Sequence, residues 1–475
     1  MSVIGYIKRS PFLRNFSLLT AGDLATRFIS IFTNILVARY LAPERFGEYT
    51  LVTTYGAILY SIASLGVNQL TTRYVARNQD NSAFYFRLSM LVRIIGFALT
   101  SIGFYIYSLY SKEDFSSFII IIILATVFLE TLWGGFQNVA FGMQRMEWNA
   151  IISVASTILY LVILLVLPKD SYTVIAILLI YVLLYFVKDV AYYFCLKKSN
   201  LLTINKQSND CISKAWVRSF IVDSFPFYIL TVLGLFTNQF PTIFLNNNSG
   251  AEDVAFFSTA NKLVLPISMF VSTALSALFP NQSKLYVEDR ERFGRQTVKI
   301  LVLMNGLGLF LAFCISLFRK EFVWVLYGDA YQGTADVMAF QCWYMVMYTI
   351  FCFNGSTLGA ADSQRKLAVC SIVYALISTP ILFITSKYGA KGLAIGYVIA
   401  SIFNLCYIFP VLRRVLSTAM SKRFMFCCVA MIMVIMLISL CIPMSLHILF
   451  RIAILCAILI ALFFYKDRII SYVKN

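Results

Sequence analysis

The sequence predicts an all-α integral membrane protein of about 14 transmembrane helices, arranged as two six-helix lobes followed by a C-terminal helix pair. Three observations predict it. The 475 residues are 60% hydrophobic and only 13% charged, with mean hydropathy +0.80, whereas soluble domains run at about 45–50% apolar and 25% charged. Apolar runs of spanning length recur along the whole chain, and motifs of the first half return at matching positions in the second. So little charge cannot clothe a soluble surface. A soluble enzyme, a secreted disulfide scaffold and a disordered regulator are therefore excluded.

A bilayer core takes about 20 apolar residues per helix. On that measure the first lobe spans at 13–40, 47–67, 84–110, 117–141, 148–168 and 172–196. The second lobe spans at 218–244, 253–279, 296–318, 335–359, 366–386 and 391–415, and the terminal pair at 423–443 and 447–465. The run FIIIIILATVFL after Ser117 makes the fourth span the clearest, while the first, seventh and eighth carry polar residues in mid-span. The domains are then 1–196, a cytoplasmic linker at 197–217, a second lobe at 218–415, and the extra pair and tail at 416–475. The linker is too short to bury a core of its own. The opening MSVIGYIKRSPFLRNFSLL has no cleavable-signal pattern, because its positive residues lead into a long stretch carrying Asp23 and Arg27.

The charge balance, 39 basic residues against 22 acidic, is formally +17. No Lys/Arg run is long enough for a nucleic-acid patch. With the N-terminus in the cytoplasm, basic residues favour the inner segments over the outer loops by about three to one, the positive-inside pattern, and both termini lie inside. The 11 cysteines all lie from Cys195 onward, mostly within apolar stretches, and His447 is the single histidine. With no CxxC, these thiols read as small buried hydrophobes, and neither a metal site nor a cofactor is expected.

The repeat is visible in the turns. Ala42-Pro43-Glu44-Arg45-Phe46-Gly47 follows the first span and Gly250-Ala251-Glu252-Asp253-Val254-Ala255 follows the seventh, each placing a Glu just outside the membrane. Phe141-Gly142 with Arg145 after the fourth span corresponds to Leu358-Gly359 with Arg365 after the tenth. Six spans per lobe is an even number, so the lobes share an orientation and a pseudo-twofold axis runs along the membrane normal.

A charge at the bilayer centre costs about 2.5–3.5 kcal/mol on insertion scales, and so it faces a bundle interior or a watery cavity. Thr20, Asp23, Arg27, Ser30 and Asn34 recur at helical spacing along one face of the first span, with Asp23 and Arg27 at i,i+4 and placed to pair. Two readings stand: a neutralised pair gluing helices, or a cavity wall. Glu130, Trp133 and Gln137 share a face of the fourth span, and Tyr181, Tyr185, Lys188 and Tyr192 one of the sixth, with Asp189 beside the lysine. Gln341, Tyr344, Tyr348 and Gly355 do so in the tenth, and the seventh and eighth add Asp223, Asn238, Gln239, Asn261 and Lys262. Rings flanked by hydrogen-bonding groups suit sugars, and cations suit phosphate. Interface belting or helix packing would also explain the tyrosines, and snorkelling would explain Lys188. Pro226, Pro241, Pro266, Pro380 and Pro410 lie within spans as bending points or as static kinks.

GDAYQGT at Gly328 to Thr334 lacks the lysine of a phosphate-binding loop, and no GxSxG, HExxH or kinase signature occurs. No sequence resembles a selectivity filter, and no long extramembrane loop could house a transferase site.

ARYLAPERFGEYTLVTTYGAILYSIASLGVNQLTTRYVAR, Ala38 to Arg77, resembles the signature of bacterial polysaccharide flippases, in the polysaccharide transport branch of the multidrug/oligosaccharidyl-lipid/polysaccharide exporter superfamily. ANKL at Ala260 to Leu263 and LYGDAY at Leu326 to Tyr331 are similar to the family's second-half motifs, and the likeness extends over essentially the whole chain. Ala42 stands where the family more often has glycine, a departure expected to leave the turn unaltered. The resemblance implies a two-lobed, MATE-like V shape with a cationic cavity and alternating access. It implies a flippase for an undecaprenyl-pyrophosphate-linked oligosaccharide, such as an O-antigen unit, in the bacterial cytoplasmic (inner) membrane. The partners would be that lipid-linked substrate, membrane lipid, and a polysaccharide polymerase and chain-length regulator, with no nucleic acid. The substrate-binding candidates are Arg27, Asn34, Tyr185, Lys188, Asn238, Gln239, Lys262, Tyr344 and Tyr348, and the ion-coupling carboxylates are Asp23, Glu130 and Asp223. A drug or cation antiporter of the same superfamily, favoured by an acidic cavity, and a membrane-bound transferase or polymerase are the alternatives.

Overall fold

A computed structural model describes residues 11–111, 116–199, 214–361, 363–416, 422–442 and 450–451. All regular elements among them are helical. Ten stretches are long and apolar enough to cross a membrane, or eleven when one bent pair counts as a span. The chain is therefore a multi-pass membrane protein, with fewer such stretches among the described residues than the 14 expected. The difference has identifiable sources. The eleventh and twelfth expected spans run together as one 52-residue apolar stretch, Arg365–Leu416. The thirteenth lies in the 20-residue helix Lys422–Cys441, whose part Val429–Cys441 counts as a shorter apolar helix among the described residues, and the fourteenth, 447–465, lies outside the described residues except at 450–451.

The helices are α1 (Pro11–Leu41), α2 (Pro43–Ala63), α3 (Val67–Arg77), α4 (Ser82–Tyr110), α5 (Ser117–Gly142), α6 (Met146–Val166), α7 (Val174–Lys198) and α8 (Lys214–Asn238). They continue as α9 (Phe240–Ser249), α10 (Ala251–Glu288), α11 (Arg290–Leu317), α12 (Arg319–Tyr327), α13 (Gln332–Ala360), α14 (Gln364–Thr385), α15 (Gly389–Leu416) and α16 (Lys422–Cys441). Local chemistry sets several starts. Ser116 Oγ accepts from Ile119 N at 3.3 Å and Thr173 Oγ1 from Ala176 N at 3.2 Å, capping α5 and α7. Asp289 Oδ1 accepts from Arg292 N at 2.9 Å and caps α11. Each satisfies an amide that the helix leaves unpaired. Pro43 opens α2, where a missing N–H costs nothing.

The second expected span is a broken helix. α2 and α3 meet at 49° across Leu65 (φ 47°) and Gly66 (φ 72°). None of the five in-span prolines lies at this break.

The chain divides into two compact units, Met1–Ile243 and Phe244–Asn475. In the first, α1 packs on α6, α2 and α4 on α5, and α5 on α7. Small residues permit this: a Cβ at Gly22 would lie 2.6 Å from Ala150 Cβ, and one at Gly142 would lie 2.6 Å from Val75 Cβ. In the second unit α10 and α11 pack on α13, and α13 on α15, while α9 meets α14 through Phe244 and Phe383, 5.3 Å apart. The same order of packing thus recurs in each unit. The sequence division at 197–217 follows the repeat, whereas the contact division falls at Ile243 because α8 packs on α2, α3 and α4.

Candidate functional site

Apolar helices bury what few polar groups they carry, and in the first unit these gather where α5 faces α7. Glu130, one turn before Trp133 on α5, accepts from the Tyr185 hydroxyl at 3.4 Å. Tyr185 and Tyr181 hydroxyls lie 3.4 Å apart. The Lys188 ammonium sits 4.9 Å from the Tyr185 ring and 5.2 Å from the Trp133 ring, within cation–π range. Trp133 in turn meets Tyr192 edge-on at 4.6 Å. Lys188 takes part in none of the described ion pairs, so two aromatic faces hold this cation. Asp189, its neighbour, is buried with neither carboxylate oxygen hydrogen-bonded.

Behind this wall lies a group absent from the sequence candidates. Arg93 of α4 is fully buried. Its guanidinium donates to Asn68 Oδ1 and, at 3.3 Å, to Ser89 Oγ. Asn138 Nδ2 donates to the same Asn68 Oδ1 at 3.2 Å. A Cβ at Gly134 would lie 2.6 Å from Tyr60 Oη and 2.9 Å from Arg93 Nη1, so Gly134 is what lets these two side chains reach α5. Asn68 is in the first turn of α3, just beyond the break. Arg93 therefore joins the broken helix to the polar interior. The signal was available: Arg93 interrupts the apolar run LSMLVRIIGFALT as Asp23 and Arg27 interrupt the first span.

The other candidates of this unit stand apart. Asp23 and Arg27 are both exposed on α1, and among the described ion pairs none joins them. The i,i+4 spacing thus places them on one face of α1 without a salt bridge between them. Asn34 turns its amide back to Ser30 O at 2.6 Å. Asp223 accepts from Tyr74 Oη at 2.9 Å, linking α8 to α3. Asn238, exposed at the end of α8, donates to Gly234 O at 2.8 Å, and Gln239 is half-buried beside it.

The second unit holds an aromatic cluster. Tyr344 and Tyr348 rings lie 6.0 Å apart on α13, and Tyr397 of α15 lies 4.7 Å from Tyr344. Tyr374 of α14 packs its ring 5.8 Å from Phe351 of α13. Half-buried Lys262 follows Asn261, whose Oδ1 accepts from Gln341 Nε2 at 3.4 Å. Tyr374 and Tyr397 escaped the sequence reading because they come from separate helices, and no single-helix stripe contains them.

The chain as a whole resembles known proteins. The model of the family described as polysaccharide biosynthesis protein matches residues 12–286, more than half of the chain, and that of the MatE family matches 228–384. The capsular polysaccharide biosynthesis protein CapF of Staphylococcus aureus is 19% identical over 423 residues, 85% of this chain and 100% of that protein. Among solved structures, the lipid II flippase MurJ in its inward closed conformation has TM-score 0.73 at 13% identity, covering 95% of this chain and 99% of its own. A multidrug resistance MATE family transporter of the MOP superfamily, inward-facing, has TM-score 0.65 at 15% identity, covering 83% and 96%. The fold is of the MurJ and MATE type.

Proposed function

The chain belongs to the polysaccharide biosynthesis protein family, and from that premise we propose that it is a flippase for an undecaprenyl-pyrophosphate-linked oligosaccharide. The cargo is an O-antigen unit or a related surface polysaccharide repeat, carried across the bacterial cytoplasmic membrane by alternating access and driven by an ion gradient. Both termini lie in the cytoplasm, and a polymerase and chain-length regulator receive the product. The observation that carries the reading is the Lys188 ammonium held over Trp133 and Tyr185 beside Glu130. A cation lodged on ring faces keeps its N–H donors for an anionic group, and the pyrophosphate offers several acceptors. The rings and tyrosine hydroxyls around it suit the sugar. Lys262 with Tyr344 and Tyr348 supplies the same chemistry in the second unit, while Arg27, Asn34, Asn238 and Gln239 line the polar route. Asp23, Glu130 and Asp223 are the proposed coupling carboxylates.

The MatE match over 228–384 favours a second reading, a drug or cation antiporter. Buried Arg93 and half-buried Lys188 weigh against it, because each would repel a cationic drug from the carboxylates beside them. An enzymatic role would require covalent change of the sugar chain.

Deletion of the gene tests the reading. Full-length surface polysaccharide is expected to disappear while lipid-linked units accumulate on the cytoplasmic side. Normal polymer in the deletant would contradict it.

A further inference from the structure

On either side of the LYGDAY segment, α12 and α13 enclose a cavity. α11 ends at Leu317, α12 follows as a nine-residue helix, and Gly328, at φ 87°, turns the chain into α13. Tyr327 and Tyr331 rings pack 5.4 Å apart, and Tyr331, 1% exposed, also meets Phe256. A Cβ at Gly333 would lie 2.7 Å from the Phe256 ring, so the first turn of α13 is pressed against α10. The first turns of α12 and α13 enclose a cavity of about 520 Å³ lined by Lys320, Glu321, Trp324, Gln332 and Asp336, among others, within the usual range of about 300–1,000 Å³ for small-molecule sites.

Its base is fixed. Arg451 Nη1 lies 2.9 Å from Glu321 Oε1 and donates to Leu317 O at 3.0 Å. Buried Arg319 donates to Ser316 O at 2.7 Å. Above this base the cavity presents an ammonium donor, two carboxylate acceptors, an amide that does both, and Trp324, which is 61% exposed.

We infer that this cavity is a second binding site, for a saccharide. A phosphate would face the Asp336 carboxylate, Glu321 being paired with Arg451, an organic cation would face Lys320, and a hydrocarbon chain would strand five polar or amphipathic groups. A sugar satisfies all of them: its apolar face stacks on the indole while its hydroxyls donate to the carboxylates and accept from the ammonium and amide. The inference rests on the flippase reading in one respect, that the saccharide is the head group of the transported lipid.

The test uses the full-length protein in lipid nanodiscs, labelled with 5-fluorotryptophan, whose 5 tryptophans give separate ¹⁹F resonances. Trp324→Phe assigns the Trp324 signal. The probe is the repeat-unit oligosaccharide released by mild acid from the source strain's lipid-linked unit. The Trp324 resonance is expected to shift saturably, and Gln332→Ala is expected to weaken that binding by about tenfold, near 1.4 kcal/mol. A Trp324 signal that does not move, or moves identically in Gln332→Ala, would overturn the site. Translocation of the lipid-linked unit by the unmutated protein in vesicles is measured alongside. Translocation with an unmoved Trp324 removes the site and leaves the flippase reading, and a saturable shift without translocation does the reverse.

Discussion

Ala42 adopts φ 63° and ψ 164°, a region that normally requires glycine, and does so at the residue before α2. Gly250 (92°, 175°), Gly328 (87°, −175°) and Gly389 hold the same conformation before α10, the turn into α13, and α15. Ala42 thus takes without a glycine the conformation that glycine holds at the other three turns, at the expense of backbone strain of about 1–3 kcal/mol. Ala42→Gly should raise the melting temperature of the purified protein, and a lower value would show that the conformation is unstrained. At Lys188 the prediction concerns transport. Lys188→Gln should lower translocation about tenfold or more with membrane level unchanged, and Lys188→Arg should keep much of it, since both rings still receive a cation. Equal activity in all three would make the ammonium a packing element.

Among the elements, the broken α2–α3 helix is the one on which most rests. A Cβ at Gly66 would lie 2.5 Å from Tyr228 N and 2.8 Å from Ser224 O, so α8 crosses directly over the bend. Gly66→Ala combines that collision with an unfavourable φ and should lower folded yield and melting temperature. Arg93→Met should destabilise by about 1–3 kcal/mol through the loss of the guanidinium's hydrogen bonds to Asn68 and Ser89, measurable as earlier thermal unfolding in detergent. The spans themselves were legible because apolar runs of bilayer length can do little else in lipid. The bend was not legible, since it depends on a positive φ at Leu65 and Gly66 and on a helix more than 150 residues downstream. The short α12 was hidden by its length, which no spanning test detects.

For the whole molecule, the internal repeat was readable in two motif pairs, and the recurrence of α5-on-α7 packing in α13-on-α15 gives it a structural form. Half of the candidate site was readable too. Glu130, Tyr185 and Lys188 converge because their stripes lie on facing helices, whereas the Arg93 network and the Tyr344–Tyr397 contact come from helices that only tertiary packing brings together. The central claim is vectorial movement of a lipid-linked sugar without chemical change. Its most direct measurement places the purified protein in vesicles loaded with fluorescent lipid-linked repeat unit on the inner leaflet and follows quenching by an outside reagent. The account predicts a fast, protein-dependent increase in quenched label, reduced in Lys188→Gln, with the recovered oligosaccharide covalently unaltered. No increase above protein-free vesicles, or a changed sugar chain, would contradict it.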